Sequence, residues 1–227
     1  MPRTLDPAAH ALRRDAFIEA AQRLMQTKGY EQVSIQDVLD AAETSRGAFY
    51  HYFDSKAALL EAVVERMTEA ATTSLAPMLD DPELSAVSKL QGFFTGLTRW
   101  KEVRREMLLN LIGVWISDEN AIVREHFRQN VAARLTPLLA GLVRQGNGEG
   151  TFDTGPALPT AGVLVSLILG ANETASRLFV ARQAGAISFE EVESTIAAFG
   201  AAFERILGLP AGSWPIFDPE ILHRWFD

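Results

Sequence analysis

The sequence predicts an all-α fold, and three observations support this prediction. Apolar residues recur at spacings of three and four along most of the chain, which is the period of a helix with one buried face. No convincing run alternates apolar and polar residues, as a half-buried strand would. Residues typical of helix starts recur between the apolar stretches, so that we expect about nine to ten helices. With 227 residues, 48% of them hydrophobic, the chain is long enough for a substantial core.

The composition excludes several kinds of site. The chain contains no cysteine, which excludes disulfides and thiolate metal sites and favours a reducing compartment. The first ten residues lack the apolar run of a signal peptide, and the longest apolar stretch, Val163 to Leu169, is too short to cross a bilayer. We therefore expect a cytoplasmic protein that does not contact a membrane. The net charge is -8, but acids and bases nearly balance through residue 60.

Three short helices are predicted in the first fifty-odd residues. The first has an apolar stripe and ends at Gly29, a typical helix stop. The second begins at Ser34, which with Asp37 three residues later can form a capping box. The third begins at Ser45. The apolar positions of the first helix are Phe17, Ala20, Ala21, Leu24 and Met25, and those of the third are Ala48, Phe49, Tyr52 and Phe53.

Longer helices fill the rest of the chain. A fourth helix is expected from Lys56 to about Pro77, and Asp80, Asp81 and Pro82 predict another start because proline is tolerated at the first helical position. The glycine-rich run from 146 to 150 predicts a flexible loop, and the proline-rich tail, with Pro210, Pro215 and Pro219, is expected to wrap the surface. The further helices are expected at 83–100, 102–115, 120–145, 158–184 and 189–207.

The last of these helices carries a seam for a partner helix. Its apolar residues alternate steps of three and four, which is typical of helices that pack nearly parallel or antiparallel. Ser188 and Glu191 form a capping box at its start. The seam residues are Phe189, Val192, Ile196, Phe199, Phe203 and Ile206.

The region from Val33 to Lys56 has the spacing of a helix-turn-helix motif. In that motif the second helix enters the major groove of DNA while its inner side packs on the preceding helices. The helical period turns Phe49 and Phe53 inward. It turns outward a set of small, polar and aromatic groups suited to bases and phosphates. These outward residues are Arg46, Gly47, Tyr50 and His51.

The same residues resemble a known family. Val33 to Val38, Ser45 to Phe53 and Ser55 to Leu60 closely resemble the N-terminal signature of TetR-type regulators, over roughly a fifth of the chain. The resemblance implies a two-domain, all-helical homodimer that binds operator DNA and a small-molecule effector. It implies a helix-turn-helix domain at 1–54, with an arm at 1–10, and a ligand-binding and dimerisation domain at 55–227.

Two positions depart from the family pattern. Glu43 stands in the turn where the family usually has glycine, and Leu39 stands where the preceding helix usually has a small residue. A glutamate in the left-handed conformation costs on the order of 1 kcal/mol. We therefore expect that the turn is reshaped, which affects the pose of the second helix.

The DNA contacts follow from the motif and the resemblance. Arg46 can give two hydrogen bonds to guanine, and Lys56 and Ser34, with the amides at their helix starts, can hold phosphates. Arg3, Arg13 and Arg14 either add phosphate contacts or belong to a solvated face. Tyr50 and Tyr52 are either DNA contacts or half-buried core aromatics. The predicted DNA-binding residues are Ser34, Thr44, Ser45, Arg46, Gly47, Ala48, Tyr50, His51, Tyr52 and Lys56.

The larger domain is expected to bind the effector and to form the dimer. Some bulky residues of the middle helices are expected to touch a ligand, while Asn110, Asn172 and Glu173 either orient its polar group or serve an interfacial or capping role. The final helices, at about 158–184 and 189–207, are expected to form a four-helix bundle with a second copy. The predicted ligand-binding residues are Met67, Phe94, Trp100, Met107, Leu111 and Trp115.

The sequence thus predicts a ligand-responsive repressor that a small apolar or amphipathic effector releases from a palindromic operator. We expect no metal, no cofactor and no enzymatic activity, because His10, His51, His126 and His223 are scattered and no nucleophile elbow or phosphate-binding loop is present. Two alternatives stay open. One is an all-α ligand-binding dimer that does not bind an operator, and the other is a small-molecule enzyme.

Overall fold

A computed structural model describes residues 7–213 and 219–226. Within these ranges the chain forms ten α-helices and one short 3-10 helix at Asp118–Asn120, and it forms no strand, which confirms the all-α prediction. The α-helices are α1 Pro7–Lys28, α2 Ile35–Ala41, α3 Arg46–Tyr52, α4 Lys56–Leu79, α5 Ala86–Glu102, α6 Arg105–Ile116, α7 Ala121–Glu149, α8 Ala157–Gln183, α9 Phe189–Leu207 and α10 Pro219–Phe226.

The helices divide into two compact units. The first takes in the chain up to Glu69 together with Glu106–Phe127, and the second takes in Ala70–Arg105 together with the chain from Arg128 onward. The first unit therefore contains α1 to α3, part of α4 and most of α6. The division into functional domains at residues 54 and 55 stays a prediction.

The first three helices pack around buried aromatic rings. α1 packs against α2, and α2 packs against α3. The Phe17 ring of α1 meets Phe49 edge-on with the ring centroids 5.7 Å apart, and it meets Phe53 at 6.1 Å. All three side chains are buried. Burial of one such ring contributes about 1.5 to 3 kcal/mol, so this aromatic cluster fixes α3 on α1.

Hydroxyl caps start the helices where the sequence predicts them. The Ser34 hydroxyl accepts from the Asp37 amide, and Ser188 and Glu191 form the same reciprocal box at α9. Ser45 and Ser55 accept from the amides three residues further on. Each cap satisfies an amide that has no partner inside the helix, which contributes about 1 kcal/mol. The four predicted starts are confirmed.

The second unit is built around the packing of α8 and α9. On α9, Val192, Ile196 and Phe203 are buried, which confirms the predicted seam. α5 joins the same core, because the Phe94 ring meets the Phe203 ring edge-on at 5.3 Å. At the end of α9, the Glu204 carboxylate accepts from the Gly212 amide.

Two expectations about helix ends are wrong. α5 begins after Ser85, whose hydroxyl accepts from the Ser88 amide, and not at Pro82. The carboxylate of Asp81 instead closes a turn by accepting from the Glu83 amide at 2.9 Å. The glycine-rich run is not a loop, because α7 continues to Glu149 and ends at Gly150, which has a positive φ of 71°.

The C-terminal tail contains a helix that the sequence analysis missed. Pro219 starts α10 at the first helical position, where its missing N–H has no intrahelical partner to lose. Phe226 is buried against Val192 and Ile196 of α9. The His223 ring stacks on Phe189 with the ring centroids 3.9 Å apart. Pro215 lies outside the described residues.

By length and composition, α8 is apolar enough to cross a membrane, although polar residues such as Thr160, Ser166 and Asn172 interrupt it. Core helices of soluble proteins pass the same test. Only 22% of its most apolar window is buried, and Leu158, Val163 and Val180 are exposed. α8 therefore has apolar side chains that the second unit leaves uncovered.

Candidate nucleic-acid interface

α2 and α3 are short helices that a four-residue connection joins. Each has seven residues, and the connection runs from Ala42 to Ser45. Val38 and Leu39 of α2 and Phe49 of α3 are buried, so that both helices present one side to the core and the other to solvent. This arrangement is the helix-turn-helix that the sequence predicts.

The turn adopts the left-handed conformation in spite of its glutamate. Glu43 has a φ of +50°, and it is the only residue other than glycine with a positive φ in the described part of the chain. The expectation of a reshaped turn is therefore wrong. Glu43 keeps the left-handed conformation although this conformation is energetically unfavourable for a residue with a side chain and favours glycine.

The solvent face of α3 carries the groups that the helical period predicts. Arg46, Gly47, Tyr50 and His51 are exposed. A Cβ atom added at Gly47 would meet no other atom within 4 Å, so its surface is open. Tyr50 is 46% exposed and rests edge-on against the buried Phe49 ring. The rigid inner ring thus supports a phenol that faces outward.

His51 and Tyr52 belong to an aromatic cluster that includes a residue of α1. The His10 ring lies 4.5 Å from the Tyr52 ring and 5.5 Å from the His51 ring, measured between centroids. Tyr52 is half-buried and also packs on Phe17 at 5.7 Å. The expectation that the histidines are all scattered is wrong for this pair. Sequence analysis missed His10 because only tertiary packing brings it to α3.

A network of charged groups occupies the start of α2. The Asp37 carboxylate accepts from the Ser34 amide at 2.8 Å and from the Ser34 hydroxyl at 2.6 Å, and it pairs with the Lys28 ammonium at 2.9 Å. The side-chain and backbone hydrogen bonds from Ser34, followed by the bond from Lys28, hold the pKa of Asp37 far below its usual value. A phosphate at Ser34 would meet this carboxylate.

Lys56 is held by its own chain. Its ammonium donates to the Glu31 carbonyl at 3.3 Å and lies 4.2 Å from the centroid of the Tyr30 ring. Partial burial lowers the pKa of Lys56, and burial, with a smaller effect of Glu119, raises the pKa of the Tyr30 phenol. An ammonium has three donors, so one backbone bond leaves capacity for a phosphate.

The remaining predicted DNA contacts flank α3. Ser45 is exposed and caps the Ala48 amide, while Thr44 and Ala48 are half-buried. Arg13 is exposed, and the Arg14 guanidinium lies 5.4 Å from the centroid of the Phe53 ring. Arg3 lies outside the described residues. No group of three or more residues able to hold a metal ion occurs in the ranges that the structure describes.

The predicted ligand residues are divided between the two units. Met67, Met107 and Leu111 are buried in the first unit, where the Met107 sulfur accepts from the Gln26 amide at 3.3 Å. Trp115, in the same unit, meets Phe127 edge-on at 5.0 Å. Their roles toward a ligand stay predictions.

In the second unit, Phe94 is buried, and Trp100 stacks under the Arg104 guanidinium at 4.2 Å. Of the polar residues considered for ligand orientation, the Asn172 amide oxygen accepts from the Lys101 ammonium at 2.9 Å. Glu173 pairs with Arg177 and Arg128. Sequence analysis missed Lys101, although it lies seven residues after Phe94 and hence on the same face of α5.

Comparison with known proteins supports the interpretation of this motif. Residues 17–63 match the tetR family of bacterial regulatory proteins. The chain is 27% identical to the transcriptional repressor NemR of Escherichia coli K12 over 189 residues, which are 81% of this chain and 90% of NemR. It is 31% identical to the regulator EthR of Mycolicibacterium smegmatis over 86 residues, 36% of this chain and 40% of EthR.

A third relative, the repressor DhaR of a Mycobacterium strain, is 27% identical over 84 residues, 37% of this chain and 42% of DhaR. The matches to DhaR and EthR thus span less than half of those proteins. Solved structures show the same fold. RolR in complex with resorcinol has a TM-score of 0.62 at 18% identity, covering 94% of this chain and 99% of RolR. Reduced NemR has a TM-score of 0.55 at 24% identity, covering 88% and 100%.

Proposed function

The chain belongs to the TetR family of bacterial regulatory proteins, and from this premise we propose that it is a ligand-responsive transcriptional repressor. In this proposal it binds a palindromic operator and is released by a small apolar or amphipathic effector. The single observation that carries the proposal is the exposed polar face of α3, which the buried Phe49 and Phe53 hold outward. A regulator of this kind works in the cytoplasm, where the chromosome lies.

Arg46 is proposed to recognise a base, because it is exposed at the first position of α3 and a guanidinium can donate two hydrogen bonds to guanine. Gly47 and Ala48 let the backbone approach the groove. Tyr50 and His51 are proposed to reach phosphates or thymine methyl groups. Tyr52 is proposed to act mainly through its packing on His10 and Phe17.

Phosphate contacts are proposed at both ends of the motif. Lys56 keeps donors beyond its bond to Glu31, and the Ser34 and Ser45 hydroxyls lie at helix starts, where backbone amides favour anions. Thr44 precedes the second of these starts. Asp37 opposes an anion at Ser34, so the start of α3 is the more favourable phosphate site.

A homodimer is proposed through α8 and α9. The exposed apolar residues Leu158, Val163 and Val180 of α8 support it, since a second copy that packs along α8 would remove such residues from water. A two-fold dimer presents two copies of α3 to half-sites about 34 to 36 Å apart along DNA. An effector in the proposed C-terminal domain, residues 55–227, changes that spacing. A coupling of about 1 to 3 kcal/mol changes operator affinity by roughly 5 to 150-fold.

The test is selection of bound duplexes from a randomised DNA pool, followed by anisotropy titration of the selected duplex at several salt concentrations. A palindromic consensus and a steep loss of affinity with salt are expected. Arg46→Ala is expected to weaken binding by about 1 to 3 kcal/mol and to relax preference at one base. Arg23→Ala is the control, because Arg23 is exposed on α1 and pairs with Glu19. Equal affinity for all duplexes contradicts the proposal.

A ligand-binding dimer without operator affinity is the second candidate. The acidic side chains of Asp37 and Glu43 within the motif favour it, together with the net charge of -8. The same titration separates the two candidates. A dimer that binds no duplex even at low salt supports the second.

A further inference from the structure

Two lysines of α5 donate to side chains of other helices, and Lys89 is buried while Lys101 is half-buried. The Lys89 ammonium donates to the Gln145 amide oxygen at 2.9 Å, and the attraction of Lys89 contributes to a lowered pKa of Glu149. Lys89 therefore has a carboxylate in its surroundings. The Lys101 ammonium also donates to an amide oxygen, that of Asn172, at 2.9 Å. Among the described residues no carboxylate pairs with it.

Lys101 lies on the inner face of α5. It follows Phe94 by seven residues, two helical turns, and Phe94 packs on Phe203. The helical period of the apolar residues on this face predicts an apolar side chain at position 101. The residue there is a lysine. Burial lowers its pKa to about 8. A cation in such a place is unfavourable unless an anion accompanies it.

Asn172 completes a donor pair. Its amide oxygen accepts from Lys101, and the NH2 group of the same amide has no partner in the described part of the chain. An ammonium and an amide NH2 side by side match the two oxygens of one carboxylate. A single positive charge also matches a carboxylate better than a doubly charged phosphate.

We propose that Lys101 and Asn172 anchor the carboxylate of the effector, which is an amphipathic monocarboxylate. This inference rests on the proposed function. The carboxylate supplies the charge that Lys101 lacks and occupies the free donors of both side chains. Lys89 differs, because the negative charge of Glu149 lies close enough to interact with its ammonium.

The test measures thermal unfolding of the full-length protein with benzoate, phenylacetate and hexanoate, each compared with its neutral amide at equal ionic strength. At least one acid is expected to raise the Tm of the wild type more than its amide does. Lys101→Met is expected to lose this rise, and Lys89→Met is the control that keeps it. Lys101→Gln serves as a second variant with the same expected loss, because it removes the charge and keeps a polar side chain.

The proposal is overturned if no acid exceeds its amide, or if both Lys101 variants keep the rise. Operator titration with the active acid separates the two levels. A selected duplex that the protein binds without acid, and that the acid releases, supports the inference. A bound duplex whose affinity the acid leaves unchanged overturns the effector role alone, whereas the absence of any bound duplex contradicts the proposed function instead.

Discussion

The Thr44 amide donates to the Leu39 carbonyl at 3.0 Å, and this bond spans the end of α2 because Glu43 between them takes a positive φ. The Glu43 amide donates to the Asp40 carbonyl at 3.3 Å. Together the two bonds form a Schellman motif, in which the left-handed position is normally glycine. The turn between α2 and α3 is therefore a regular helix end with an unfavourable residue at its one demanding position.

Replacing this residue should stabilise the protein. Glu43→Gly is expected to raise the free energy of unfolding by about 1 kcal/mol, because glycine adopts the left-handed conformation without steric cost. Urea titration of both proteins measures the change. Glu43→Ala is the matched control, since it removes the carboxylate but keeps the Cβ atom, and it should gain little. An equal rise in the free energy of unfolding in both variants would mean that the Glu43 charge, and not its backbone conformation, causes the effect.

The capping box at α2 should make the free energy of unfolding depend on pH in the acid range. Because the folded-state pKa of Asp37 is lowered, its contribution to stability is present above pH 3.8 and is lost as the pH falls below that value. Ser34→Ala removes the hydroxyl bond. It is expected to cost about 1 kcal/mol near neutral pH and to raise the pKa of Asp37, which NMR titration of the carboxyl group measures.

Ser74→Ala is the control for this prediction. The Ser74 hydroxyl donates to the Ala71 carbonyl within α4 and meets no carboxylate there. This variant should leave the Asp37 titration unchanged. A wild-type Asp37 pKa near 3.8 would contradict the hydrogen bonds that Ser34 and Lys28 donate to this carboxylate.

A matched pair of glycines on α7 separates packing from helix propensity. A Cβ atom at Gly146 would lie 2.0 Å from the Phe152 ring, whereas one at Gly148 would meet nothing within 4 Å. Gly146→Ala is expected to destabilise the protein by about 1 to 3 kcal/mol through overpacking. Gly148→Ala should be neutral or gain up to about 1 kcal/mol. Thermal unfolding of the two variants measures the difference, and equal effects would contradict the contact with Phe152.

These glycines also show where sequence analysis succeeds and where it fails. Ser34 and Ser188 predict their helices correctly because a cap acts within three residues of the chain. The run from 146 to 150 misleads because a glycine-rich composition indicates a loop. Gly146 is instead a helical residue whose missing Cβ atom leaves room for the Phe152 ring. The pairings of Lys101 with Asn172 and of His10 with Tyr52 depend on tertiary packing, and no local pattern contains them.

The candidate interface was more predictable than the candidate ligand site for the same reason. The outward face of α3 follows from the helical period alone, once Phe49 and Phe53 are assigned to the core. The six residues predicted to touch a ligand have in common only that they are bulky and apolar, and such residues line a core as well as a pocket. Lys101 is distinguishable in the sequence in another way. It is a charged residue at a position where the helical period predicts an apolar side chain.

Lys101 should lower stability in a way that depends on pH. Its pKa is about 8 in the folded protein, against 10.5 as the ordinary value. Between these values the unfolded chain binds more protons than the folded one, so the stability of the wild type rises with pH across this window. Lys101→Met lacks this rise. The variant is therefore expected to be more stable than the wild type by about 1 to 3 kcal/mol at pH 7, with the difference narrowing toward pH 10.5.

Urea titrations at several pH values measure the stability difference between the wild type and Lys101→Met. Lys101→Arg is the control, because a guanidinium stays protonated throughout the window. The wild type should gain stability relative to the arginine variant as the pH rises, while the arginine and methionine variants keep a constant difference. A wild-type curve parallel to that of the arginine variant would mean that the Lys101 ammonium is hydrated in the folded protein. The unbalanced charge on the inner face of α5 would then no longer call for a carboxylate.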